Sequence, residues 1–231
     1  MHKVVFLTGA GMSAESGIRT FRDSGGLWEG YDVMTVASPE GWQRNPELVL
    51  DFYNARRSNM LASEPNDAHK RLANWQQELN IYVITQNIDD LHERGGSQHV
   101  LHLHGELSKC RSTGPGQELF DYSHDLQVGD CCPKGFQLRP HVVWFGEDVP
   151  EIPQAIDIIS TAELVVVIGT SLQVYPAAGL IHYAPEGVPI ALIDPGNHHS
   201  NDVFQHIQLN ATEGLKVLEK ELMKKGWLTT P

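Results

Sequence analysis

Apolar positions in the chain come as short continuous runs and not as strict alternation: Val4 to Thr8, Ile81 to Thr85, Val100 to His104, Leu164 to Gly169 and Pro189 to Asp194. A run of that length, closed by glycine, proline or polar residues, predicts a strand covered on both faces, as in a parallel sheet. Ile207 to Leu209 is a weaker sixth. Helical spacing lies between and after them, over Pro46 to Leu61, over Asn66 to Leu79 with Asn66 as N-cap, and over Leu215 to Lys225, which ends before Gly226. Strands alternating with helices predict an α/β fold, a Rossmann-like parallel sheet with helices on both faces.

Two stretches break the rhythm. Arg19 to Asn80 is a helical excursion, and Gly105 to Pro140, dense in Gly, Pro, Asp and Ser and carrying Cys110, Cys131 and Cys132, reads as an inserted module. The expected organisation is a main domain of residues 1–18, 81–104 and 141–231, and a small inserted domain of residues 19–80 and 105–140, with substrates entering the cleft between them.

Each of the first five strands runs directly into a polar or glycine-rich signature: Thr8-Gly9-Ala10-Gly11, Thr85-Gln86-Asn87-Ile88-Asp89, His104-Gly105-Glu106, Gly169-Thr170-Ser171 and Asp194-Pro195-Gly196. Ligands of open parallel sheets bind beyond the carboxyl ends of the strands, so these signatures should converge on one site. Gly9 to Ala14 fits a G-x-G-x-x-A phosphate loop at a helix start, although a tight strand-to-helix turn fits the same residues. No acidic residue follows at the usual dinucleotide-fold position. A cationic and aromatic loop, Gly17 to Asp23, stands there instead, unlike an ordinary dehydrogenase.

Composition narrows the partners. Seventeen basic against 29 acidic residues give a formal charge of −12, which argues against nucleic acid. No apolar run approaches the roughly 20 residues of a membrane span, and no signal peptide is expected before the first strand, so the expected location is cytoplasmic. Three cysteines, two of them adjacent, argue against a disulfide framework.

The segment from Gly9 to Arg22, GAGMSAESGIRTFR, closely resembles the signature of the sirtuins, NAD-dependent protein-lysine deacylases. Gln86 to Asp89, Leu103-His104-Gly105, His141 to Glu147 and Gly169-Thr170-Ser171 follow in that family's order, so the resemblance covers nearly the whole chain. It implies NAD as cofactor, acyl-lysine proteins or peptides as substrates, and the first of the two domains as the NAD-binding one.

The implied reaction moves an acyl group from lysine to ADP-ribose and frees nicotinamide. Cleavage of the nicotinamide–ribose bond creates an oxocarbenium-like centre, which a positioned acyl-amide oxygen captures on the opposite ring face. A base must then deprotonate a ribose hydroxyl, and His104 in its motif is the candidate. By resemblance Asn87 and Asp89 hold the nicotinamide carboxamide, although a strand-end Asx turn would use the same residues. Phe21 shields the reactive ribose. Arg22 and the backbone of Gly9, Ala10, Gly11 and Ser13 meet the phosphates, and Ala14, Ile18, Trp28, Gln86, Ile88, Gly169, Thr170, Ser171, Pro195 and Gly196 complete the implied cofactor site. Asp194 stands where the family commonly carries Asn, and a carboxylate can still accept from adenosine ribose hydroxyls. Ala211, before the last helix, matches a small residue beneath adenine.

An acyl-lysine segment would thread between Val142 to Glu147 and Leu172 to Tyr175, pairing its backbone by strand addition, with Val143 and Phe145 lining an apolar tunnel beside Val142 and Gly146. Tyr53 and Arg56 lie three apart on one helix and share a face. In the branch of the family that removes succinyl, malonyl or glutaryl groups, this Tyr-x-x-Arg pair grips the acyl carboxylate. A structural zinc is doubtful. Sirtuins usually carry two Cys-x-x-Cys pairs, whereas here Ser112 stands at the first position and Lys134 or Gly135 at the last, so no metal ligand is assigned and apolar packing is expected in its place. Cys110, Cys131 and Cys132 with His124 would be the remaining donors. A protein ADP-ribosyltransferase and a catalytically silent NAD-binding module are the alternatives to deacylation.

Overall fold

The computed structural model describes residues 1–19, 28, 30–170, 175–196 and 204–229. Its strands are β1 (Lys3–Thr8), β2 (Asn80–Thr85), β3 (Val100–His102), β4 (Gly105–Ser112), β5 (Leu119–Asp121), β6 (Leu138–Val142), β7 (Leu164–Ile168), β8 (Ile190–Ile193) and β9 (Phe204–Ile207). Its helices are α1 (Val33–Val36), α2 (Pro39–Arg44), α3 (Pro46–Ala62), α4 (Asp67–Trp75), α5 (Leu91–Arg94), α6 (Ile152–Ile159) and α7 (Ala211–Lys224). One parallel sheet of six strands has the order β3-β2-β1-β7-β8-β9, and β5-β4-β6 form a smaller antiparallel sheet.

The continuous apolar runs follow from burial of the large sheet on both sides. Successive side chains of a strand point to opposite faces. Val4 and Phe6 of β1 pack with Leu72 and Trp75 of α4 and Leu215 and Leu218 of α7, whereas Val5 and Leu7 pack with Ala155 and Ile159 of α6. The Rossmann-like reading holds, with four adjustments. The weak sixth strand is Phe204–Ile207 and ends where the apolar run was expected to begin, because the polar Gln205 and His206 obscure an edge strand. The run Val100 to His104 is cut at His102, since Gly105 turns the chain with φ +80 into β4, where a Cβ would lie 2.1 Å from the carbonyl oxygen of His141. Ala211 opens the last helix instead of preceding it. Asn66 does cap α4, its Oδ1 accepting from the amides of Ala68 and His69, but that helix stops at Trp75.

The inserted module contains no arrangement that suits zinc. Cys110 and Cys132 sit in an apolar cluster with Leu50, Leu126 and Leu138, and burial pushes the Cys110 thiol up to about 11. The Cys132 sulfur accepts from Ser112 Oγ at 3.3 Å, Cys131 is exposed, and His124 is held by Ser123. Among the described residues no three metal-ligating side chains gather. A different polar anchor ties the module to α3: the buried Arg57 donates to the carbonyls of Leu107 and His124, and Asn54 exchanges two hydrogen bonds with the backbone of Leu126.

Two fully buried histidines make the fold acid-sensitive. His69 on α4 and His92 on α5 meet edge to face with ring centroids 4.8 Å apart, held by Asn66 and Thr8 respectively. Burial pushes His69 down to about 4 and His92 well below the usual 6.5. The unfolded chain therefore binds protons that the folded one refuses, and stability is complete above pH 6.5 and lost as pH falls below it. His69 alone should remove about 1.4 kcal/mol per pH unit over that window. Urea midpoints at pH 7 and pH 5 check this, and His69→Gln should flatten the slope between them.

Candidate functional site

The register of the large sheet aligns the strand ends. Thr8 pairs with Thr85 on one side and Ile168 on the other, and Ile168 pairs with Ile193, so the residues that follow all emerge along one edge. The connections reverse direction between β1 and β7, which is where doubly wound sheets open a ligand crevice.

There the backbones of two strand ends touch. Gly11 N donates to the Gly169 carbonyl at 2.9 Å, and a Cβ on Gly11 would lie 2.6 Å from Gly169 Cα. Only a residue without a side chain fits, which is the physical content of the glycine motif. The chain then runs through two 3-10 turns, Ala10–Met12 and Ala14–Ser16, and not into the expected α-helix. Gly17, with φ +88, closes the second turn, and Ala14 is exposed while Ile18 is half-buried.

A buried hydrogen-bonded chain crosses from this loop to the end of β2. Asn87 Nδ2 donates to Ser13 Oγ at 3.1 Å, and Ser13 Oγ donates to Asp89 Oδ2 at 2.9 Å, while Asp89 Oδ1 accepts from Leu91 N. All three side chains are buried. Burial raises the Asp89 pKa, and the bonds from Ser13 and Leu91 oppose that rise. Gln86 reaches across to Thr170, its Nε2 lying 3.3 Å from Thr170 Oγ1, and Ile88 packs against the apolar cluster of α3.

His104 lies at the next position along the edge, with Leu103 N bonded to the Thr85 carbonyl just before it. Its Nδ1 is 3.1 Å from the Gln86 carbonyl oxygen. A carbonyl only accepts, so Nδ1 carries the proton and Nε2 keeps a lone pair. Burial lowers the ring's pKa, against the pull of that carbonyl, so the imidazole is neutral at neutral pH.

Asp194 ends β8 as a buried residue whose Oδ1 accepts from Gly196 N at 2.8 Å, forming its own turn beside the exposed Pro195. Ala211 is buried in the core below α7. Phe21, Arg22, Ser171 and residues 172–174 lie outside the described residues.

The acyl-side residues form a second group. Tyr53 is fully buried, and Trp144 Nε1 donates to its hydroxyl at 3.1 Å. Arg56 stacks on Phe52, with its guanidinium carbon 3.2 Å from the ring centroid, and donates to the Phe52 carbonyl. Trp28 joins this group rather than the strand ends, meeting Phe52 and Tyr53 edge to face. Val142 is buried in the same cluster, whereas Val143 is half-buried, Phe145 is 43% exposed and Gly146 is exposed. Val143 N donates to the His104 carbonyl, so the two groups are tied directly.

Sequence reasoning missed the charges that hold this segment. Glu147 Oε1 and Oε2 accept from Arg111 Nη2, both at 2.9 Å, and from Arg139 Nη1 and Nη2 at 2.7 and 3.1 Å. Arg139 also lies on the Trp144 ring. No periodicity or spacing in the chain pairs these three residues.

The chain thus joins the class of doubly wound α/β proteins whose ligand crevice lies at a strand-order reversal. The Sir2 family profile matches residues 9–176. An NAD-dependent protein deacylase of Bacteroides thetaiotaomicron is 51% identical over 231 residues, covering 96% of this chain and 99% of that protein. One of Helicobacter pylori is 49% identical over 226 residues, covering 97% and 99%. Among solved structures, a Sir2 homologue in complex with NAD superimposes with TM-score 0.86 at 36% identity, over 96% of this chain and 90% of that one. A Sir2 protein bound to an inhibitor, 2'-O-acetyl-ADP-ribose and a deacetylated peptide gives 0.75 at 29%, over 96% and 93%. The protein belongs to the Sir2 family.

Proposed function

We propose that the protein is an NAD-dependent protein-lysine deacylase acting on acetyl-lysine and on acidic acyl-lysines such as succinyl and malonyl, in the cytoplasm. Among the described residues no helix is long and apolar enough to cross a membrane. The observation that carries the reading is the Ser13–Asn87–Asp89 chain set beside a neutral His104 at one strand-end edge.

That donor set suits the cofactor. An amide and a carboxylate within one buried hydrogen-bond chain complement a carboxamide, and the glycine contact lets backbone approach a pyrophosphate. When bound, NAD supplies an activated ribosyl carbon that a substrate amide oxygen can attack. Asn87 and Asp89 would orient the carboxamide, Ser13 holds both in place, and Gly9, Ala10, Gly11, Gly169 and Thr170 would flank the phosphates. His104 Nε2 would take the proton of a ribose hydroxyl. Val143 and Phe145 would line the acyl-lysine channel, and the Arg56 guanidinium would meet an acyl carboxylate.

Nicotinamide release with acetyl, succinyl and unmodified lysine peptides tests this. Release with acylated peptides alone, together with O-acyl-ADP-ribose, is expected. ADP-ribose attached to protein would mark a transferase, and no release with any peptide a silent binder. Arg56→Met should lower kcat/KM on succinyl peptide by about 1.5–3 kcal/mol, the scale of a charged hydrogen bond, and leave acetyl peptide unaffected. Equal losses on both would remove Arg56 from the acyl site.

A further inference from the structure

His102, two residues before His104, lies outside the motifs that the family resemblance covers, yet its surroundings are more polar. Its Nδ1 is 3.0 Å from the Asn87 carbonyl oxygen and its Nε2 is 2.8 Å from Glu93 Oε1. Both partners are acceptors only, so both ring nitrogens must donate and the ring is an imidazolium. The contrast with His104, which faces one acceptor, is a difference of geometry within a single strand-to-turn segment.

The side chain of His102 is 7% exposed, and that of Glu93 is 41% exposed. The charged and titratable groups around it come from three elements: Glu93 and the uncharged His92 from α5, Glu106 with its partner Lys109 from β4, and Asp89 from the loop after β2. Burial disfavours the cation, but the hydrogen bond and charge of Glu93, with the Asn87 carbonyl, outweigh it and hold His102 above its ordinary range. The same positive charge favours the ionised form of Asp89, against the burial that opposes it.

We propose that His102 is a positioning residue whose imidazolium, held between the Asn87 carbonyl and the Glu93 carboxylate, pins the Asn87 backbone and, beside the hydrogen bonds of Ser13 and Leu91, favours the ionised form of Asp89 in the nicotinamide pocket. The inference rests on the deacylase reading for the role of Asp89. It goes beyond it in assigning the charge of that pocket to a residue that touches neither cofactor nor substrate. Because Glu93 is partly solvated, the pair acts chiefly by fixing protonation and not by adding stability.

Exchange of labelled nicotinamide into NAD, in the presence of acyl peptide, isolates the pocket, since cleavage and its reversal need no proton acceptor and His104 leaves that profile alone. In His102→Gln, which keeps a donor without charge, the acid limb of exchange should move up by about 0.5–1 pH unit, with the alkaline plateau within about 3-fold of wild type. Glu93→Gln, which keeps an acceptor but removes the carboxylate, should move it the same way by less. A purely structural role would lower the plateau without moving the limb. Nitrogen NMR of histidine-labelled wild type should show both His102 nitrogens still protonated at a pH where His104 carries a single proton. A His102 that titrates in the ordinary range, or limbs of both variants that coincide with wild type, overturns the proposal. Wild type without any exchange would instead sink the deacylase reading, and the nitrogen spectra would still decide the charge of His102.

Discussion

Replacing His104 with alanine should lower steady-state release of O-acyl-ADP-ribose about 10²- to 10⁴-fold, the range for loss of a positioned general base. Nicotinamide exchange should survive in the same variant. The difference follows from the geometry, since Nδ1 is committed to the Gln86 carbonyl and leaves only Nε2 to accept a proton. On the deacylase reading that proton would come from a ribose hydroxyl in the step after cleavage, so cleavage itself would have no use for the ring. The lowered pKa adds a second expectation. The base works when neutral, so wild-type turnover should hold at pH values below the usual histidine range before it falls. His104→Ala within 10-fold of wild type, or exchange lost in parallel with turnover, would contradict the assignment.

How far this could be read from the chain depends on whether a residue's partners are near in sequence. The strands were legible because burial on both faces turns each into an unbroken apolar run, and their polar ends are legible for the same reason, each closing a run. The convergence of Gly9, Gln86, Gly169 and Asp194 follows from parallel register and needs no side-chain detail. The small sheet was not legible. β4 reads Gly-Glu-Leu-Ser-Lys-Cys-Arg-Ser, mostly polar, because its partners β5 and β6 bury it unevenly and a register shift interrupts its pairing with β6. Helix α6 escaped for lack of a side-chain cap, Glu151 standing at its N-cap position with prolines close by.

The partners of functional residues were the harder part. Ser13 was placed in the phosphate loop by its motif, but its hydroxyl turns inward to Asp89, 76 residues away. Trp28, expected near the cofactor, packs on α3. His102 looks like any strand-end histidine until Glu93 and the Asn87 carbonyl are set against its two nitrogens. The absence of the Cys-x-x-Cys pairs was plain in the sequence, whereas the substitute was not, because the Arg57 and Asn54 contacts that tie the module down join α3 to backbone carbonyls and amides fifty or more residues on.

Glu147→Gln should destabilise the protein by about 3–5 kcal/mol, the cost of stripping the counter-charge from buried cations. The side chains of Arg111 and Arg139 are 11% and 9% exposed, and the Glu147 carboxylate receives four guanidinium contacts from them and a fifth from Trp144 N. Glutamine preserves shape and one acceptor but presents an amide N–H to a guanidinium, so two positive groups remain without water or partner charge. The loss should extend to the site. Trp144 is clamped between the Glu147 carboxylate and Arg139, and its indole N–H reaches the Tyr53 hydroxyl, so loosening this corner would free residues 143–146, which on the proposed reading would line the acyl-lysine site. Denaturant midpoints give the stability term, and KM for acyl peptide gives the second. The double variant Glu147→Gln with Arg111→Met should recover part of the stability, because one of the stranded charges has been removed. A single variant within about 1 kcal/mol of wild type would mean that solvent reaches these guanidiniums and that the corner is held by packing alone.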